Sequence, residues 1–165
     1  MNDVRRRYLE TQIQQASPQQ LWLMLLAGAV GFTRRTTAHW QAGEAEEAAG
    51  TLLRAKEIAA ELYQNVQREG WTGAADMERL YRYIYAEFTA LHLDELRARQ
   101  GDWKVDPAFR SRRVEALIRL LETEVETWSQ VCDQHPEILT ADAQRRQDFQ
   151  REITWDGELD ERKET

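Results

Sequence analysis

Four long stretches of this chain obey one rule. Apolar side chains return every three or four residues, and each stretch stops at a short break. That period lays the apolar groups along one face of an α-helix, and a chain with four such faces must bury them against one another. In the first stretch, from about Pro18 to Gln41, the stripe is Leu21, Met24, Leu25, Gly28 and Phe32, and Trp22, Leu26 and Ala29 add a second apolar face. In the second, from about Glu44 to Arg68, it is Ala45, Ala48, Ala49, Leu52, Ala59, Leu62, Tyr63 and Val66, with Lys56 expected to snorkel. The third, from about Ala74 to Arg99, carries Met77, Leu80, Tyr81, Ile84, Phe88 and Leu91. The fourth, from Pro107 to about Asp133, carries Val114, Leu117, Ile118, Leu121, Val125, Trp128 and Cys132. Helices of this length span about 35–39 Å. Joined by short breaks, they predict an all-α fold, an antiparallel up-down four-helix bundle. Leu21, Leu25, Leu52, Leu62, Leu80, Ile84, Leu117, Leu121 and Trp128 are its expected core.

The breaks carry their own chemistry. Ser17 suits an N-cap, Pro18 the first helical position, and Gln20 closes a capping box. Asp106 and Pro107 repeat the cap-and-proline start. Ala42-Gly43, Gly70-Trp71-Thr72-Gly73 and Gln100-Gly101-Asp102 read as helix stops. Residues 1–16 form a polar leader, expected to act as a cap segment with at most one short helix. Residues 17–135 form the bundle. Residues 136–165 form an acidic tail with one weak helix at most, between Thr140 and Thr154. From Glu137 to Thr165 nine acids face five bases, and the end beyond Trp155 is expected to be disordered.

Composition narrows the function. At 165 residues with a formal charge of −7, general nucleic-acid binding is disfavoured. No apolar run reaches the roughly 20 residues of a membrane span, and the N-terminal Arg5-Arg6-Arg7 has no signal-peptide core behind it. Arg5-Arg6-Arg7 reads as solvated leader rather than as a docking cluster. Cys132 is the only cysteine, which excludes an intrachain disulfide and fits the reducing cytosol. It continues the stripe of the fourth segment and reads as a small core hydrophobe. No glycine loop suits a phosphate. His92 and Glu95 are spaced for one helix face, but the Glu-x-x-His sets of bundle metal sites do not occur, so both read as ordinary surface polar residues. No enzyme activity, cofactor or metal is expected. In the third segment Tyr81 follows the core stripe, whereas Tyr83 and Tyr85 point away from it.

The ordered set Tyr8, Ala16-Ser17-Pro18, Leu21, Met24-Leu25 and Gly28-Ala29 resembles the flagellar secretion chaperone family FliS. Ala55 to Leu62, Leu80-Tyr81-Arg82-Tyr83-Ile84 and Trp128 extend the likeness in the family's order to about Val131. The chain departs from the family pattern at Arg5, Leu26-Ala27, Arg82 and Leu91-His92. The resemblance implies a cytosolic export chaperone. It would bind the C-terminal segment of flagellin as helices wrapped on the bundle, prevent premature polymerisation and assist delivery to the flagellar type III export apparatus. It also implies a leader that caps an apolar groove, moves when the client binds, and helps docking on the membrane export gate. A monomer or weak homodimer is expected, with no stable membrane insertion. An amphipathic client helix fits a groove between helices. The expected groove and cap residues are Tyr8, Ile13, Trp22, Leu26, Ala29, Ile58, Leu62 and Tyr83, with Tyr8 and Ile13 filling the groove in the client-free chain. Two other readings stand beside this one: a divergent helical-bundle adaptor that no longer binds flagellin, and a helical-bundle enzyme or metal protein.

Overall fold

The computed structural model describes residues 2–16, 18–68 and 74–134. They form helices α1 (Asn2–Gln15), α2 (Pro18–Ala42), α3 (Ala45–Arg68), α4 (Ala74–Arg99) and α5 (Pro107–Gln134), and there is no strand among them. The leader is therefore helical almost throughout. The expected cap Ser17, the break at residues 70–73 and the tail beyond Pro136 lie outside the described residues.

Two of the helix boundaries show why they fall where they do. Gly43 at φ 74° ends α2. Its N–H donates to the Trp40 carbonyl at 3.2 Å, and the Glu44 N–H donates to the His39 carbonyl at 2.9 Å. This paired closure satisfies the carbonyls of the last turn and needs a residue without a Cβ in the left-handed region. At the start of α5, Asp106 Oδ1 accepts from the Ala108 N–H at 3.0 Å, the expected N-cap.

The chain divides into two compact units. The larger, Leu23–Thr127, holds most of α2, all of α3 and α4, and most of α5. Its interhelix bonds give the topology. Between α2 and α3, the Thr36 and Thr51 hydroxyls share a hydrogen bond of 2.7 Å, and Gly28 sits beside Ile58. Between α3 and α4, Tyr63 stacks on Tyr85 with ring centroids 6.3 Å apart, and Arg99 reaches Glu46 at 3.9 Å. Between α4 and α5, Tyr81 Oη donates to Glu124 at 2.8 Å, Arg113 grips Glu87 at 2.7 and 3.1 Å, and Arg110 pairs with Glu95 at 3.5 Å. Arg34 pairs with Glu122, and Arg110 stacks over Trp40, closing α5 onto α2. In every one of these seams residue numbers rise on one helix as they fall on its neighbour, so α2 to α5 form a closed antiparallel up-down bundle. The smaller unit joins residues 1–22 to 128–165. Within it the rings of Trp22 and Trp128 meet at 5.8 Å and 44°.

Most of the expected core is inside. Leu52, Leu62, Tyr81, Ile84, Phe88 and Leu121 are fully buried, and Leu117 and Trp128 nearly so. Leu21, Leu25 and Leu80 are only half-buried. On α2 the core face is Leu26, Ala29, Val30, Thr33 and Thr36. The face read as a surplus is thus the buried one, and the expected stripe of Leu21, Met24, Leu25, Gly28 and Phe32 is half-open.

Glu95 differs from expectation too. It is 4% exposed rather than an ordinary surface residue. Its carboxylate accepts from Trp40 Nε1 at 3.1 Å and from Arg110 at 3.5 Å, and the Arg110 guanidinium lies 4.0 Å from the Trp40 ring centroid. One acid therefore ties α2, α4 and α5 together. Burial pushes the Arg110 pKa down, opposed by Glu95.

Two outcomes follow from these environments, both read by chemical denaturation. Phe88→Ala should cost about 3–5 kcal/mol by opening a cavity, and Leu80→Ala about 1–2 kcal/mol because its side chain is already partly wet. Equal losses at both positions would contradict the burial assigned to them. Glu95→Ala should cost about 2–3 kcal/mol by stranding the Trp40 N–H and the half-buried Arg110 cation, and Glu95→Gln clearly less because it keeps an acceptor. A loss below about 0.5 kcal/mol for Glu95→Ala would remove the three-helix tie.

Candidate partner-binding site

The residues expected to form one groove occupy different environments. Leu26, Ala29 and Leu62 are fully buried and present no surface. Trp22 is half-buried against Trp128. Ile58 is half-buried on α3. Tyr83 is 54% exposed on α4, where it faces the α5 side and acts electrostatically on Arg113. Ile58 packs on the opposite seam, against α2, so the bundle does not bring Tyr83 and Ile58 together. Tyr8 is 63% exposed on α1. The side chain of Ile13 lies outside the described residues.

The bundle instead assembles a continuous apolar strip along the α2–α3 seam. Leu25, Gly28 and Phe32 recur at i, i+3 and i+7 on α2, all half-buried, with Met24 beside them. A Cβ at Gly28 would stand 3.3 Å from Ile58 Cδ1, so the bare glycine lets the α3 side chain lie close against the α2 backbone. The Arg35 guanidinium lies 4.4 Å from the Phe32 ring centroid and covers part of its face. Leu26, Ala29, Leu52 and Leu62 of the same two helices are fully buried. The sequence carried a signal for it in the small residue Gly28 in the middle of an apolar run, since a missing side chain there lowers the surface between its bulky neighbours.

Such a strip performs no chemistry. It offers shape and apolar area to a partner. Among the described residues there is no group of three or more His, Cys, Asp or Glu side chains placed to hold a metal. His92 is half-buried, and its pKa is held below the ordinary value by burial and by Lys56, with Glu95 opposing. The imidazole is therefore neutral near pH 7. Cys132 is half-buried rather than fully enclosed, and burial, followed by Asp133, pushes its thiol up, so it is a poor nucleophile. Among the described residues no helix is long and apolar enough to cross a membrane.

Comparison with known proteins agrees with a binding role. None of the curated proteins matches the chain significantly. The family model described as "Flagellar protein FliS" matches residues 1–100. That span covers α1, α2, α3 and α4, including the whole of the α2–α3 strip. With more than half of its 165 residues matched, the chain belongs to the FliS family of flagellar chaperones.

Proposed function

We propose that this chain is a cytosolic export chaperone for flagellin. It binds the flagellin C-terminal segment, keeps it from polymerising and hands it to the flagellar export apparatus. The family is one of chaperones, not of enzymes. The observation that supports a flagellin-type client is the half-open strip of Leu25, Gly28, Phe32 and Ile58. A disordered segment that folds as an amphipathic helix presents side chains at the same i, i+3, i+7 spacing, and its bulky groups can lie over the shallow point at Gly28. Tyr83, exposed on the opposite seam, is reached only by a client that wraps the bundle. Docking on the membrane export gate belongs to the same proposal and is assigned to the leader. The chain acts as a monomer or weak homodimer.

The test is calorimetry of the full-length chain with the C-terminal segment of the host's own flagellin. Binding should show a clearly negative heat-capacity change and a gain of helix by circular dichroism, because the client orders as it buries apolar surface. Phe32→Ser and Ile58→Ser should each weaken binding about tenfold or more, since each removes roughly 1.5 kcal/mol of apolar contact. Unchanged affinity in both variants would move the client off the α2–α3 strip. No binding at all would favour the adaptor reading.

A further inference from the structure

The helix pair α3–α4 carries apolar groups that the α2–α3 strip does not use. Leu53 on α3 and Leu93 and Leu96 on α4 are 38%, 44% and 40% exposed. The pairs Glu46–Arg99 and Tyr63–Tyr85 set the register of these two antiparallel helices, which brings Leu53 level with Leu93 and Gly50 level with Leu96. Gly50 lies inside α3, where glycine weakens a helix. A Cβ there would meet nothing within 4 Å, so no contact among the described residues calls for a bare backbone at this point.

The charges of the pair are divided lengthwise. Among the described residues the exposed charges of α3 are Glu46, Glu47, Glu57 and Glu61 against Arg54, and those of α4 are Arg79, Arg82, Arg97 and Arg99 against Asp76. The two minority charges are already paired within their own helices, Arg54 with Glu57 and Asp76 with Arg79. Lys56 of α3 and Glu78 of α4 are half-buried. The other acids of α4 are turned to α5, Glu87 and Asp94 to Arg113 and Glu95 to Arg110. The outer side of α3 is therefore acidic and that of α4 basic.

We infer that this face binds a second copy of the chain about a twofold axis running along the helix pair, α4 of each copy over α3 of the other. Such an axis keeps every level and exchanges the two sides. Leu93 then meets Leu53 of the other copy, and Leu96 meets its bare Gly50. Arg97 comes within one helical turn of Glu46 of the other copy, and Arg82 within one turn of its Glu61. An axis across the pair would instead set α3 on α3 and α4 on α4, like charge against like. Three leucines a side are few, so the dimer is weak and depends on concentration. The inference gives the weak homodimer of the proposed function its surface and does not depend on the identity of the client.

The experiment is sedimentation velocity of the full-length chain from about 1 µM to about 500 µM, a range that spans weak dimers. The wild-type chain should pass from monomer to dimer within it. Leu93→Glu should weaken association about tenfold or more, with melting temperature unchanged, because the side chain is exposed. Gly50→Gln should also weaken association, yet raise the melting temperature by about 1–3 °C by improving α3. Arg97→Glu and Glu46→Arg should each weaken association alone, and an equimolar mixture of the two variants should recover it, since each then supplies the charge the other lacks. A wild-type chain that stays monomeric throughout overturns the inference. So does a dimer that survives both Leu93→Glu and Gly50→Gln, or a mixture that fails to recover. Loss of a flagellin C-terminal segment by Leu93→Glu, in a chain whose wild type stays monomeric, would also overturn it and give the face to the client.

Discussion

Two helices approach only as closely as the side chains between them allow, and the buried faces of α2 and α3 are rich in small ones. On α2 the inward face is Ala29, Val30, Thr33 and Thr36 beside Leu26. On α3 it is Ala48, Ala49, Ala55 and Ala59 beside Leu52 and Leu62. Threonine serves there because its hydroxyl need not stay unpaired. Thr33 Oγ1 donates to the Ala29 carbonyl at 2.6 Å. Thr36 Oγ1 lies 2.9 Å from the Phe32 carbonyl and 2.7 Å from Thr51 Oγ1. With its polar atom satisfied by its own helix, a buried threonine packs much like a valine. The bare backbone at Gly28 continues the close approach. With the inward positions of α2 taken mostly by these smaller side chains, Leu25 and Phe32 stand half-buried beside them and become the strip. The packing constraint and the binding surface have one cause.

That cause explains which parts of the fold could be read from the sequence. The helical period survives any detail of packing, so the four long segments and their stops matched α2 to α5 within a residue or two. Choosing the inward face of α2 was harder. Ranked by hydrophobicity, Leu21, Met24, Leu25 and Phe32 outweigh Ala29, Thr33 and Thr36, and Leu21 and Leu25 are the core residues that ranking predicts. Burial instead goes to Leu26, Ala29, Val30, Thr33 and Thr36, the face on the other side of the run. The positions were legible, and their roles depended on the helix opposite. Leu80 illustrates the same limit: it keeps the period of α4 yet ends half-buried, while its neighbour Tyr81 goes fully inside because its hydroxyl finds Glu124 on α5.

The Trp40–Glu95–Arg110 tie was less legible still. Its members come from three helices, with Glu95 55 residues from Trp40 and 15 from Arg110. Local pattern reads a glutamate at the end of a helical stripe as solvent-facing, since an isolated buried carboxylate is costly. The cost is removed here by a donor and a cation that no spacing rule connects to it. The same reasoning separates the expected partner residues. Tyr83 and Ile58 both belong to the expected groove, but their helices carry them to opposite seams, and only the three-dimensional order of α2 to α5 reveals it.

A chaperone for a disordered, helix-forming segment needs a surface between two extremes. A fully buried face such as Leu26 and Leu62 cannot be reached without opening the bundle. A broad, fully exposed apolar face would drive self-association before a client arrived. The strip of Leu25, Gly28, Phe32 and Ile58 lies between, and Arg35 over the Phe32 ring illustrates how. The guanidinium and its stem shield apolar area from water, as snorkelling side chains do, while the charge stays in solvent. An exposed cation–π contact is worth only about 0.5–1 kcal/mol, so a client helix that covers the same ring displaces it at small cost. The shield keeps the surface soluble when empty and leaves most of the burial energy of Phe32 to be gained on binding. Arg35 lies one helical turn or less from both Phe32 and the Gly31 carbonyl it touches, so the shield needs nothing outside α2 to form.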